Sequence, residues 1–245
     1  MVERSLLLAI AGGKTRKREE NHGGPAAHVE DRTTSALAVP EVATQHRTTT
    51  VVFPTLQAYL AELPSGLDSF PKHLAKASLL RTALSLHDFD DEHLQALPRR
   101  LQYLVVKTPT SNRWISEVEY TALSLALADA HGWSDGDFAR FWYDVTKSLM
   151  ASVLYAGLLG FLTPKLLLRS AALRWASFHK GVELSTRLAP GGLQLILTFP
   201  EGLIPPICTQ AYASVFQATV DVSSSRTTTE LVEDTPTRAV YLMRE

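Results

Sequence analysis

The chain has 245 residues and a net charge of -1, and 45% of its residues are hydrophobic, 20% charged and 8% aromatic. These values are typical of a folded soluble protein and exclude a collagen-like or wholly disordered chain. The small net charge gives no global field that would attract nucleic acid or an anionic membrane. The single cysteine, Cys208, excludes an intrachain disulfide and a cysteine-rich zinc site, and it favours a cytoplasmic location.

Residues 1 to 52 show no lasting helical or strand period, which is typical of a disordered extension. The apolar run from Leu6 to Ala11 is too short for a secretory signal. The longest apolar run, from Leu149 to Leu162, falls short of the roughly 20 residues that span a bilayer. We therefore expect a disordered extension over 1–52, one domain over 53–245 and no membrane attachment.

The segment from 53 to 181 shows mainly the spacing of helices. Pro54 begins the first helix, and Pro64-Ser65-Gly66 ends it. A second helix follows, with apolar positions that start at Leu74. These signals predict that the first half of the domain is helical.

Further helices in this half are marked by caps and breaks. Asp90 caps one helix, which Pro98 is expected to kink or split. The strings from Ser116 to Glu119 and from Ser134 to Asp137 are capping boxes, each of which begins a helix. Gly132, between them, is expected to end the first of these two helices in a left-handed conformation.

The last helix of this half is predicted to begin at Thr163, to carry Lys180 in its last turn and to end at Gly181. Trp175 lies on its apolar stripe. His179 lies near its end, where it could ligate a haem iron or sense pH. The alternative is a favourable contact between the histidine and the C-terminal end of the helix dipole.

After Gly181 the period of the apolar residues changes from 3.6 to 2. Residues 182–199 read as a hairpin, Pro205-Pro206 begin a helix, and a second hairpin runs from Thr227 to Arg244 with its turn at Asp234-Thr235-Pro236. The predicted fold is therefore α+β: a helical half over 53–181, then a ββαββ unit over 182–245. Its two hairpins should form one four-stranded antiparallel sheet covered by helices.

Cys208 lies in the first turn of the helix after Pro205-Pro206, where the helix dipole lowers the pKa of a thiol. It also lies on that helix's apolar stripe, so it is either a reactive thiol or a small buried apolar residue. The chain has no Gly-x-Ser-x-Gly elbow, no dinucleotide-binding glycine motif and no histidine pair at helical spacing. We therefore expect no catalytic constellation, no metal site and no cofactor.

Four strings carry a family resemblance: Leu63 to Pro71 with Lys76-Ala77-Ser78, Trp114 to Tyr120, Arg174 to Gly181, and Val232 to Ala239. On these residues the chain from about Phe53 to its end, roughly 190 residues, resembles a myxobacterial family of paralogous domains classed as a domain of unknown function.

More remotely, a helical half followed by an antiparallel sheet is similar to the superfamily of haem-nitric-oxide-binding domains, vinyl-reductase-type small-ligand domains and vesicle-tethering subunits. That resemblance implies a sensory, ligand-binding or scaffolding module without catalytic residues. The haem-binding branch holds the haem propionates with a Tyr-x-Ser-x-Arg motif. The nearest string in this chain, Glu183 to Arg187, has Glu183 in place of the tyrosine.

Three functional hypotheses follow. The first is a non-enzymatic regulatory or sensory module that binds a small apolar ligand between the helical half and the sheet, with Trp175, His179 and Cys208 as candidate ligand contacts. The second is an adaptor or scaffold that binds a protein partner or forms a homodimer. The third is a thiol enzyme with Cys208 as its nucleophile. None of the three involves nucleic acid or a membrane.

Overall fold

Residues 51–151, 171–222 and 226–244 are described by a computed structural model of the chain. The predicted extension over residues 1–52, except for its last two residues, and the predicted helix start at Thr163 lie outside these ranges. Within them, helices occupy most of the first half, and two antiparallel sheets complete the fold. The fold is α+β, as the sequence predicts.

Seven helices are described before the larger sheet: α1 (Pro54–Glu62), α2 (Ala77–Leu86), α3 (Asp91–Ala96), α4 (Arg99–Val106), α5 (Glu117–His131), α6 (Asp135–Met150) and α7 (Ala171–Phe178). The Asp90 carboxylate accepts a hydrogen bond from the backbone N–H of His93, which caps α3. Pro98 lies between α3 and α4, so the predicted split is confirmed.

Both predicted capping boxes are present. Ser116 and Glu119 form the box at the start of α5, and Ser134 and Asp137 form the one at the start of α6. Gly132 ends α5 with a φ of 62°, a left-handed conformation that a residue without a Cβ adopts at little cost. The sequence signals therefore locate the boundaries of the two central helices.

A small antiparallel sheet, which the sequence pattern did not predict, consists of β1 (Leu74–Lys76), β2 (Trp114–Ser116) and β3 (His179–Lys180) in the order β2-β1-β3. Leu74, predicted in a helix, lies in β1, and α2 begins only at Ala77. Lys180 pairs with Leu74, so α7 ends at Phe178 and the prediction that Lys180 lies in its last turn is wrong. The pairing of Ala75 with residues of both neighbouring strands holds these segments extended.

The second half contains β4 (Glu183–Ala189), β5 (Gly192–Thr198), α8 (Pro206–Asp221), β6 (Thr228–Thr235) and β7 (Arg238–Arg244). The two hairpins form one sheet in the order β4-β5-β7-β6, because β5 pairs with β7. This confirms the predicted four-stranded antiparallel sheet. The second turn lies slightly later than predicted, since Asp234 and Thr235 still pair with Ala239 and Arg238.

The core joins the helical half to the larger sheet through α6, α7 and α8. α5 is central, and each of its residues from Glu117 to Ala128 is buried. α6 packs along α8, α8 packs on β6, and α7 packs on β4. The Tyr241 hydroxyl of β7 donates a 2.7 Å hydrogen bond to the backbone carbonyl of Thr209 in α8. No helix in the described ranges is long and apolar enough to cross a bilayer.

Candidate ligand-binding site

A cavity of about 100 Å³ lies where α6, α7 and α8 meet. Residues of the helical half and of the second half line the cavity, and most of this lining is apolar. The apolar side chains of the wall include Leu79, Met150, Phe178, Leu184, Val215 and Phe216. The cavity therefore lies where the sequence predicted a ligand site, between the helices and the sheet.

Helical spacing explains why these side chains converge. α6 contributes Thr146 with Leu149 and Met150, and α8 contributes Val215 with Phe216 and Thr219. In each set the outer residues are four positions apart, which places them on one face of a helix. One turn from each helix therefore forms one side of the cavity.

His179 lies in the cavity wall and is paired with a buried carboxylate. Its Nδ1 atom lies 3.0 Å from Oε2 of Glu117, and the two side chains are 5% and 0% exposed. Glu117 is the first residue of α5, where the helix dipole favours a negative charge. The contact orients the imidazole ring and leaves Nε2 as the ring nitrogen that Glu117 does not engage.

Trp175 forms the wall beside this pair. Its ring stacks on the imidazole of His179, with a centroid distance of 4.1 Å and an interplanar angle of 15°. Its Nε1–H donates a 2.9 Å hydrogen bond to the carbonyl of Val182, and its ring also meets that of Tyr212 edge-on at 5.4 Å. Because its polar atom is paired, the indole presents an apolar, fixed surface.

Cys208, the third predicted ligand contact, is not in this cavity. It borders a separate gap of about 10 Å³, together with Tyr120, Trp142 and Tyr212. Burial and then the negative charge of Glu117 raise the pKa of the Cys208 thiol. These effects outweigh the helix dipole invoked from the sequence, so the structure brings Trp175 and His179 together and leaves Cys208 apart.

Glu117 is the buried charged residue that sequence reasoning missed. After burial, which has the larger effect, its negative charge also raises the pKa values of Tyr120 and Tyr212. A glutamate is common in the first turn of a helix, so the position of Glu117 in the sequence did not indicate that its side chain would be buried. Its partner His179 lies 62 residues away, and only the fold brings the two together.

A haem does not fit this cavity as the described residues form it. A cavity of about 150 Å³ holds a benzene molecule, and a porphyrin is far larger than the space of about 100 Å³ present here. Arg187, in the string that resembles the propionate motif, is exposed and donates to Gln194. In the described part of the chain, no group of three or more His, Cys, Asp or Glu side chains could hold a metal.

Comparison with known proteins gives only remote likenesses. No protein-family model matches the chain, and the curated proteins contain no match. A solved Cs H-NOX mutant with the unnatural amino acid 4-cyano-L-phenylalanine is 14% identical, with a TM-score of 0.46 over 69% of this chain and 95% of that one. An oxygen-binding H-NOX domain related to soluble guanylate cyclases is 14% identical, with a TM-score of 0.44 over 68% of this chain and 90% of that one.

Both solved structures are H-NOX domains, the group to which the sequence pointed as a remote similarity. With TM-scores of 0.46 and 0.44 at 14% identity, neither likeness establishes a shared fold or function. The resemblance to the myxobacterial family stays a prediction.

Proposed function

We propose that the domain is a non-enzymatic regulatory or sensory module that binds a small apolar ligand in the cavity between α6, α7 and α8. The cavity itself supports this proposal: about 100 Å³ of space with a mainly apolar wall, at the junction of the two halves. A dry apolar cavity of about 150 Å³ binds benzene or xenon. The ligand is therefore a molecule of only a few heavy atoms.

The position of the cavity couples ligand binding to the packing of several elements of the fold. A ligand in it contacts α6 from the first half and both β4 and α8 from the second, so it stabilises their packing. His179 belongs to the wall and also to the small sheet, where it pairs with Ala75. A displacement of His179 therefore moves its pairing partner in β1 directly, and it moves α5 through the contact with Glu117.

The test is to fill the cavity. Val215, half-buried in the wall, is changed to Phe, and binding of xenon and of 1-butanol is followed by the methyl NMR signals of the lining leucines. We expect the wild-type protein to bind both probes and Val215→Phe to lose at least most of that binding. Val105→Phe, at a half-buried valine of α4 outside the cavity wall, is the matched control. Equal binding by all three proteins would refute the site.

Self-association is a second candidate function, because two elements that pack on each other, α7 and β4, each carry an exposed large apolar side chain. Leu173 of α7 is 76% exposed and Leu188 of β4 is 74% exposed, and α7 packs on β4. Among the described strands, β4 also forms an edge of the larger sheet, and an edge strand presents backbone groups that can pair with another chain. A homodimer through this edge should sediment as a dimer and become monomeric in Leu188→Lys. A wild-type protein that is monomeric at high concentration removes this alternative.

A further inference from the structure

Arg174, a half-buried residue, has one buried side-chain donor that no described group satisfies. Its Nη1 atom is buried without a hydrogen-bond partner, and the residue lines the cavity. A guanidinium stays protonated in proteins, so it cannot avoid the cost of burial by losing its charge. A buried polar group without an acceptor is costly and therefore requires an explanation.

Five other arginines of the described chain have side-chain partners. Salt bridges or side-chain hydrogen bonds join the following pairs: Arg100 with Asp68 and Glu119, Arg140 with Asp144, Arg187 with Gln194, Arg238 with Glu233, and Arg244 with Glu230. No Asp or Glu is among the described residues that line the cavity. Among the described residues of the wall, the positive charge of Arg174 therefore has no neighbouring carboxylate.

The two hydroxyl groups in the wall already donate elsewhere. The Thr146 hydroxyl donates to the backbone carbonyl of Trp142 at 2.8 Å, and the Thr219 hydroxyl donates to that of Val215 at 3.0 Å. Among the described residues of the wall, Arg174 is therefore the one with a buried side-chain donor that has no partner. A ligand with a hydrogen-bond acceptor gains most by placing that acceptor against the guanidinium of Arg174, which lines the cavity.

We propose that the ligand is a short-chain monocarboxylate, whose carboxylate binds Arg174 and whose hydrocarbon tail fills the apolar part of the cavity. This inference rests on the proposed function and names the class of its ligand. A single cation in an apolar wall matches a single negative charge with an apolar tail, and a guanidinium matches the geometry of a carboxylate. The volume of about 100 Å³ limits the tail to a few carbon atoms.

The test compares ligands that differ only in their head group. Butyrate, butyramide and 1-butanol are titrated into the full chain, and dissociation constants are measured by methyl NMR. We expect butyrate to bind at least about tenfold more tightly than 1-butanol, because a hydrogen bond to a charged group contributes that much. Butyramide, which has an acceptor but no charge, should lie between the two.

The variants then assign the effect to one side chain. Arg174→Gln should reduce butyrate affinity to about that of 1-butanol, and Arg174→Lys should retain part of the preference. Arg140→Gln is the matched control, since Arg140 is 75% exposed in an ion pair on α6 and should leave binding unchanged. If Arg174→Gln does not fold, the ligand comparison on the wild type and Arg174→Lys decides the question alone.

The outcomes separate this inference from the proposed function. If 1-butanol and xenon bind but butyrate binds no more tightly, the cavity is a ligand site and the carboxylate inference is wrong. Butyrate preference that survives in Arg174→Gln also overturns the role of Arg174. If neither xenon nor any butyl compound binds, both proposals fail together.

Discussion

Glu117 and His179 place a carboxylate and an imidazole in the core, where removal from water is costly unless each has a partner. The two side chains are partners of each other, with Nδ1 of His179 3.0 Å from Oε2 of Glu117. The stacked Trp175 ring covers the imidazole. At the scale of single residues, this pair is what orients the polar edge of the cavity wall.

Glu117→Gln should destabilise the fold by about 1.5–3 kcal/mol, because it weakens a buried hydrogen bond to a charged group. Urea unfolding at neutral pH measures the change. Glu230→Gln is the matched control: Glu230 forms an exposed ion pair with Arg244, and loss of such a pair costs about 1 kcal/mol or less. Equal losses of unfolding free energy in the two variants would mean that the buried pair contributes no more to stability than an exposed ion pair does.

Cys208 should react slowly with a thiol reagent in the folded protein at pH 8. Burial and the charge of Glu117 raise the pKa of its thiol, so little thiolate is present at that pH. The chain has one cysteine, so the time course reports this residue alone, and labelling in urea gives the unhindered rate. Fast stoichiometric labelling of the folded protein would instead support the thiol-enzyme hypothesis.

Among the predicted ligand contacts, Trp175 and His179 could be grouped from the sequence because they are four residues apart on one amphipathic segment, although Trp175 lies in α7 and His179 follows it in β3. Glu117 and Arg174 could not be recognised in this way. A glutamate at a helix start and an arginine on a helix both read as solvated residues. The burial of Glu117 and of the Arg174 Nη1 atom depends on long-range packing, which a local pattern does not contain.

At the scale of elements, caps and turns determine where helices and hairpins begin and end, and the local sequence predicts most of them. The two three-residue strands β1 and β2 are the exception. Three residues are too few to show an alternating pattern, and Ser116 ends β2 while it also caps α5. Their strand conformation arises from pairing with each other and, for β1, with β3.

The hairpin between β4 and β5 gives a test at this scale. Gly192 has a φ of 148°, and a Cβ there would clash with the backbone carbonyl oxygen of Met243 in β7. Gly192→Ala should therefore weaken the β5–β7 pairing that joins the two hairpins. Gly191→Ala is the matched control: its φ is 88° with open space around it, so it should cost only about 1–2 kcal/mol of backbone strain.

Urea unfolding of both glycine variants measures the difference. We expect the loss of stability in Gly192→Ala to exceed that in Gly191→Ala. Equal losses would show that the close approach of β5 to β7 does not constrain this turn.

At the scale of the whole molecule, the change from helical to alternating periodicity at Gly181 predicted the second half correctly, including its single four-stranded sheet. Periodicity identifies which faces of the elements are apolar, but it does not show how completely they fill the space between them. The cavity is such a packing result, because it forms where side chains from α2, α6, α7, α8, β3 and β4 converge.

The buried ionisable groups predict how global stability depends on pH. Burial raises the pKa values of Cys208, Tyr120 and Tyr241 in the folded state. Each group is then protonated in both states below its unfolded pKa, about 8.5 for Cys and 10 for Tyr, and ionises first in the unfolded state above it. The free energy of unfolding should therefore fall as the pH rises from about 8.5 to 11.

Urea unfolding across this pH range measures the slope. Tyr120→Phe removes one of the titrating groups and should make the decline above pH 10 shallower. Stability that stays constant up to pH 11 would contradict the burial of these groups.

The central claim, a ligand site at the junction of the two halves, is tested most directly by a crystal structure of the protein under xenon pressure. We expect one xenon peak inside the cavity, in contact with Met150, Leu184 and Val215. Strong diffraction with side chains filling this space, or with xenon bound only elsewhere, would contradict the claim.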